Sequence, residues 1–446
     1  MSAKITLGTT VSQLFLTMST FAQTPLAYTL SPWFENKKAA VSITFDDNCD
    51  GQFTSALPEM NKRNIRGTFY VNTGQGSCSN PTRWDLIKTA AVANHEIGAH
   101  TINHLDLNTV SESEITHQVK DCRDTINARL GNQKCLTIAY PFGSGGTIAE
   151  SEKVRNIVKQ YFISGRGAGI NYEVGYIPYN TYKNTNFTNW DYQVESYAVE
   201  AKTTKSEYDI VLDRTIQNGG WFIPQYHGID RGNEFGIIPS SLFIEHVTSI
   251  AQRANSIWAA PYVEAFMYHK EKRNATLVAA SEDNNGWVLE LKDFLPNNIY
   301  NHPLTVRLKR PSWMVYAITQ NNQQLSYTTD GDTLQFNAVP DNGSIIVNKT
   351  ALAVFEKVKE EVEVSAFPNP LSSNCYISYT LKSSCNIKVD LFNAQGTLLS
   401  TLVHEKQSAG AHKVEVNAGN FSSGMYFFRL SGDVISTINP LIVNQN

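Results

Sequence analysis

The 446-residue sequence is short of charge: only 17% of its residues are charged, and 37 Lys and Arg stand against 41 Asp and Glu for a formal net charge of −4. With no basic surplus and no basic run, it lacks the electrostatic footprint of a nucleic-acid binder. The six cysteines, at 49, 78, 122, 135, 375 and 385, contain no C-x-x-C pair, which argues against a zinc ribbon or an iron–sulfur site. If the chain is exported, Cys375 and Cys385 are candidates for closing a local loop. No mature segment supplies the roughly 20 apolar residues needed to cross a bilayer, so no transmembrane segment is expected. Long repeats and low-complexity tracts are also missing.

At the N-terminus one Lys precedes a short apolar stretch, "KITLGTTVSQLFLTMSTFA" (residues 4–22), that ends in small residues before Gln23. Residues 1–22 therefore read as a secretory signal peptide, with a disordered N-terminus as the alternative. The 20 Tyr, 21 Phe and 7 Trp suit stacking on sugar rings, and ordinary core packing equally well.

From 38 to 273, short apolar runs alternate with amphipathic stretches. Strands are predicted at "AVSITF" (40–45), "RGTFYV" (66–71), "EIGA" (96–99), "LTIAY" (136–140), "QYFIS" (160–164) and "WFIPQY" (221–226). Ser111-Glu-Ser-Glu114 has capping-box spacing. Ile115, Val119, Cys122, Ile126 and Leu130 follow at helical intervals, and Gly131 ends the run. Such βαβα alternation predicts an α/β domain on a parallel sheet, open or closed into a barrel. Residues 274–350 change texture to short alternating runs split by Asn, Gly, Asp and Pro, which predicts a small antiparallel β domain. A charged linker (351–365) leads to a third module at 366–446, again of short strands and expected to be a β-sandwich.

In a parallel α/β fold, reactive groups gather at the carboxyl ends of the strands. Four polar clusters lie there: Asp46-Asp47, His100 with His104, "PFG" (141–143), and His227. The stretch "HEIGAHTINH" (95–104) is rich in potential ligands but contains no H-E-x-x-H. His95 and His100 are five apart, about 140° around a helix, so His95-Glu96 is expected to open a strand. His100 and His104 have a four-residue spacing that suits one ion. Adjacent carboxylates at a strand end are costly unless one is neutralised. A cation on one of them meets that need and leaves the other free to take a proton from water. Helix capping is the plainer role for either Asp, and a neutral buried imidazole the plainer role for His227.

"TFDD" (44–47), "HTINH" (100–104), "YPFG" (140–143) and "YHGI" (226–229), in that order, resemble the polysaccharide deacetylases, the fourth family of carbohydrate esterases. The resemblance spans about residues 38–270. It implies a distorted (β/α) barrel holding a divalent ion, usually Zn2+, with Asp47, His100 and His104 as ligands. It also implies Asp46 as general base, His227 as general acid, and the Phe142 N–H as oxyanion donor, with Tyr140 and Pro141 shaping that turn. The family's third motif normally begins with Arg where this chain has Ala139, and Arg166 in "SGRGAG" is a candidate replacement. Trp190 in "NWDY" is a candidate for the fourth motif, with loop packing as the alternative.

"FPNP" (367–370), "VDLFNAQG" and "GMYFFRL" resemble the sorting domain of type IX secretion substrates in Bacteroidetes. That implies passage through the secretion machinery and a secreted or cell-surface location. The expectation is a metal-dependent hydrolase removing acetyl groups from a polysaccharide, by N- or O-deacetylation. The rivals are a glycan-binding surface protein with weak or no turnover, which Ala139 favours, and a metallopeptidase, which the missing H-E-x-x-H disfavours.

Overall fold

The computed structural model describes residues 27–444 except 76–77, 79–81, 132, 146–150, 168–189, 232–235, 284, 350–363, 394–397, 418, 420 and 433–435. The signal segment expected at 1–22 and nearly all of the linker lie outside the described residues. The chain forms two compact units, divided between Lys349 and Thr350.

The first unit opens with β1 (Tyr28–Leu30). There follow β2 (Ala39–Val41), β3 (Thr44–Phe45), β4 (Thr68–Val71), β5 (Glu96–Ala99), β6 (Thr137–Ala139), β7 (Ser164–Arg166), β8 (Tyr197–Ala198), β9 (Trp221–Phe222), β10 (Pro224–Tyr226) and β11 (Ile257–Ala259). One sheet has the order β7-β6-β5-β4-β3-β10-β8 and another β11-β2-β9, and every pairing in both is parallel. Because β2 runs on into β3, and β9 into β10, the two sheets form one curved wall. A parallel bridge between Arg166 and Val194 brings β7 back toward the segment before β8. The wall thereby closes into a distorted (β/α) barrel. β4 and β5 are buried at every position, as a parallel sheet covered on both faces requires.

Packing explains where local structure departs from the sequence pattern. Ser111 caps its helix by accepting from the Glu114 N–H. Glu114 turns instead to the Gln118 side chain, at 2.9 Å, so the reciprocal half of the box is not made. Ile115, Val119, Cys122 and Ile126 are buried, and Gly131 ends the helix at φ 64°. The "QYFIS" strand begins only at Ser164. Phe162 still donates its N–H to Val158, so these apolar residues are the buried end of a helix.

The middle region contributes β12 (Thr276–Asp283), β13 (Gly286–Lys292), β14 (Leu304–Lys309), β15 (Ala317–Gln320), β16 (Gln323–Leu325), β17 (Tyr327–Asp330), β18 (Thr333–Ala338) and β19 (Ile345–Asn348). They build two antiparallel sheets, β1-β14-β18-β17 and β12-β13-β19-β15-β16. Their inward residues, Val306, Leu334, Phe336, Leu289 and Val347 among them, share one core with Trp33, Trp221, Tyr262 and Phe266 of the barrel. β1, which precedes the barrel in sequence, pairs with β14. Barrel and middle sheets are thus welded from both chain ends.

The second unit consists of β20 (Val364–Phe367), β21 (Asn374–Leu381), β22 (Cys385–Asn393), β23 (Leu398–Gln407), β24 (Gly410–Asn417), β25 (Gly424–Gly432) and β26 (Ser436–Val443). Sheets β20-β21-β24 and β23-β22-β25-β26 enclose a core that includes Ile377, Ile387, Leu391 and Phe428. The local disulfide expected here does not form, and Cys375 and Cys385 are both buried thiols. Cys375 lies opposite Val416 in one sheet and Cys385 opposite Gln407 in the other, so each packs as a small apolar side chain. The disulfide that does exist joins Cys49 to Cys78. Among the described residues no helix is long and apolar enough to cross a membrane.

Candidate active site and metal centre

The site assembles at the carboxyl ends of β3, β5, β6, β7 and β10. The Asp46 N–H donates to Tyr226 O at 3.0 Å, the last rung between β3 and β10. The chain then turns through two left-handed residues, Asp47 (φ 73°) and Asn48 (φ 44°), a conformation that Asp and Asn tolerate better than most side chains. That turn points the Asp47 carboxylate at two imidazoles. His100 follows β5 directly, and its Nδ1 meets Ala139 O at 2.8 Å. A carbonyl can only accept, so Nδ1 carries the proton and Nε2 presents a lone pair. His104 is brought to the same point by left-handed Thr101 and His104 and by the His104 N–H donating to Thr101 Oγ1 at 3.1 Å.

Asp47 Oδ1 lies 3.4 Å from His100 Nε2 and 3.2 Å from His104 Nε2. It is buried and has no hydrogen-bond partner among the described residues. Atoms bonded to one tetrahedral ion at about 2.0–2.1 Å are about 3.3 Å apart, so the three atoms have the spacing of one ion's ligands. Burial opposes ionisation of Asp47, but the neighbouring histidines outweigh it and hold the carboxyl far below its ordinary value. Burial, then His100, keeps His104 below the ordinary histidine value. Burial opposes the charged form of His100, but Asp46 and Asp47 outweigh it and raise its pKa, so a divalent cation, which takes a carboxylate and neutral imidazoles, would displace a proton there.

Asp46 does not share that cluster. Its Oδ1 accepts from the Arg166 guanidinium, and its Oδ2 accepts from Gln225 Nε2 at 2.7 Å. Gln225 Oε1 accepts from Ser196 Oγ at 2.8 Å, and Arg166 Nη1 reaches that same hydroxyl at 3.4 Å. Asp46, Gln225, Ser196 and Arg166 therefore form a closed ring of buried hydrogen bonds across the seam where the barrel closes. The Tyr70 ring backs the guanidinium at 5.1 Å. Burial works against the Asp46 charge, yet Arg166 overcomes it and keeps the carboxyl below its usual value. Arg166 thus supplies the cation that Ala139 does not.

His227 Nε2 is 3.5 Å from Gln225 Nε2. The Gln52 carboxamide donates to Asp46 O and, at 3.0 Å, to His227 O, tying the two loops together. Burial lowers the His227 pKa against the opposing pull of Asp46 and Asp47. In the 141–143 turn, Phe142 has φ 54° and is 70% exposed. Its ring packs 4.7 Å from the His104 ring, and its N–H meets no acceptor among the described residues.

Three candidates, Tyr140, Pro141 and Trp190, are displaced from the site. The Tyr140 ring is buried behind it, with its hydroxyl donating to Tyr192 O at 3.2 Å, and Pro141 beside it is buried as well. A Cβ on Gly145 or Gly165 would come within 2.2 Å or 2.3 Å of Tyr140 atoms, so this side chain is a packing wedge. Trp190 belongs to the core shared with the middle sheets, stacked on Phe266 at 6.3 Å, while Asp191 pairs with Lys270. Trp190 is a packing residue. Gln225, Gln52 and Ser196 went unnoticed in the sequence. Gln225 had a signal: it lies in the last predicted strand two residues before His227, which follows that strand directly, a spacing that puts alternate side chains on one face.

Residues 35–163 match the family model described as polysaccharide deacetylase, and residues 365–444 match that of a secretion system C-terminal sorting domain. A gellan lyase of Bacillus sp. is 24% identical over 335 residues, 71% of this chain and 13% of that protein. The peptidoglycan-N-acetylglucosamine deacetylase of Bacillus cereus is 33% identical over 107 residues, 24% of this chain and 37% of the relative. The chain thus spans well under half the length of these curated relatives. Among solved structures, a family 4 carbohydrate esterase from Streptomyces lividans in complex with acetate is 14% identical, with a TM-score of 0.33 over 50% of this chain and 93% of that one. A family 4 pseudoenzyme from Bacillus anthracis is 20% identical, with a TM-score of 0.32 over 52% and 66% of the two chains.

Proposed function

Because this chain carries a polysaccharide deacetylase domain followed by a secretion-system sorting domain, we propose that it is a metal-dependent hydrolase releasing acetate from an acetylated polysaccharide outside the cell. The observation that carries the reading is the ion-sized gap between Asp47, His100 and His104, next to a second carboxylate held out of it. Asp47, His100 and His104 would hold a divalent ion, zinc by the nature of the donor set, which when bound would polarise the acetyl carbonyl and lower the pKa of the attacking water. Asp46, fixed at both oxygens by Arg166 and Gln225, accepts the proton of that water. The Phe142 N–H donates to the developing oxyanion. His227, beside Gln225 at 3.5 Å, protonates the departing nitrogen or oxygen.

The exposed Phe142 ring offers a face on which a sugar can stack. The names of the relatives point to glycans of cell walls, such as peptidoglycan, and of exopolysaccharides, such as gellan. The Arg166 pairing removes the observation that had favoured a binding-only protein. The test is an acetate-release assay on a panel of acetylated glycans, with and without chelator, alongside Asp46→Asn. Chelator-sensitive release that is lost in Asp46→Asn while bound metal is retained supports the reading. Glycan binding without acetate from any substrate sinks it.

A further inference from the structure

The residues just after β4 carry none of the proposed ligands or catalytic groups, yet they are bound to both loops that carry the ligands. Toward the Asp47 loop, Cys78 is disulfide-bonded to Cys49, two residues past the ligand. The Asn72 N–H donates to Asn48 Oδ1 at 2.8 Å. Toward the histidine loop, the Asn72 side chain donates to His100 O. The Gly74 N–H donates to Ile102 O at 2.9 Å, and the Gln75 N–H to Asn103 Oδ1 at 3.1 Å. The Asp47 turn needs such support, because two successive non-glycine residues are left-handed there and persist only where surrounding structure over-determines them.

We propose that the Cys49–Cys78 disulfide, acting with the Asn48–Asn72 hydrogen bond, is the brace that positions Asp47 for the metal. The inference rests on the metal centre proposed above. Forming the bond removes two protons and two electrons from the two thiols. They pass to a disulfide-bearing oxidant by thiol–disulfide exchange. Cytosolic thiols stay reduced and exported ones do not, so tight metal loading is coupled to export. Cys49 and Cys78 are positioning residues: neither touches substrate.

The test is zinc affinity, measured by competition with a chromophoric chelator on the full chain, for wild type, Cys49→Ala/Cys78→Ala and Asn48→Ala. The double cysteine variant avoids free thiolates that bind zinc themselves, and Asn48→Ala tests the brace if the cysteine variant does not fold. Far-UV circular dichroism at the assay temperature establishes that each variant is folded. The expected result is a loss of zinc affinity of about tenfold to a hundredfold, the range seen when groups orienting a ligand are removed. Wild-type affinity in a folded cysteine variant, or in Asn48→Ala if the cysteine variant is unfolded, overturns the brace while leaving the metal centre standing. A wild-type chain that binds no zinc overturns both.

Discussion

Replacing Arg166 by methionine takes from the buried Asp46 carboxylate the guanidinium hydrogen-bonded to it, and the His100 ring, 4.0 Å away, answers it only weakly. The Arg166 and Asp46 side chains are almost wholly excluded from water, at 0% and 2% exposure. Removing one partner of such a pair costs about 3–5 kcal/mol, because the remaining charge stays desolvated. Gln225 still donates to Oδ2 at 2.7 Å, which places the expected loss near the lower end, about 3 kcal/mol. Asp46→Asn alone strands the guanidinium instead and is also destabilising. The double variant leaves neither member of this pair charged, so it should be more stable than the sum of the single losses implies, by about 2 kcal/mol or more.

Urea unfolding followed by tryptophan fluorescence reads this directly. All seven tryptophans lie between Trp33 and Trp313, so the signal reports the first unit alone. Single losses that add in the double variant to within about 0.5 kcal/mol would mean that the two groups are not coupled, and the closed ring would lose its energetic meaning. Activity gives a second reading. Arg166→Met should lower kcat by about a hundredfold or more, the scale of a mispositioned general base, with little change in metal content.

Three further outcomes are expected. Phe142→Ala should raise KM on a glycan several-fold and change kcat much less, because the backbone N–H remains while the exposed ring is gone; an unchanged KM would exclude the ring as a sugar platform. Glu96 is held protonated by burial up to about 7, whereas in the unfolded chain its proton leaves near the ordinary glutamate value of 4.5. The folded state therefore binds the extra proton between these values, and its stability falls as pH rises through that window. Glu96→Gln lacks this dependence, so it should match wild type near pH 4 and exceed it by up to about 3 kcal/mol at pH 8; parallel pH–stability curves for the two would refute the assignment. The depressed values of His95 and His246, each about 4, act in the opposite sense but are common to both proteins and cancel in the difference. Finally, a chain ending at Lys349 keeps both sheets of the middle region and the whole barrel core, so it should fold and retain chelator-sensitive activity while failing to leave the periplasm. Loss of folding would show that the sorting domain contributes to the first unit.

What the sequence disclosed and what it withheld divide along one physical line. Strand-end placement is a local property: an apolar run stops and a polar group follows. Asp46, Asp47, His100, His104, Phe142 and His227 were therefore visible as a set before any fold was known, and the parallel architecture followed from the alternation of helix and strand. The brace was hidden because Cys49 and Cys78 are 29 residues apart in sequence and meet only when β3 and β4 lie side by side. Cys375 and Cys385 misled for the converse reason, since ten residues suffice to carry the chain from one sheet of a sandwich to the other. β1 pairs with a strand some 280 residues away, a partnership that no local periodicity encodes. Gln225 is the instructive case between these extremes. Its two-residue spacing from His227 was a signal carried by the sequence but passed over. Its role emerged only when Arg166 of β7 and Ser196, just before β8, were found to close the ring with it around one carboxylate.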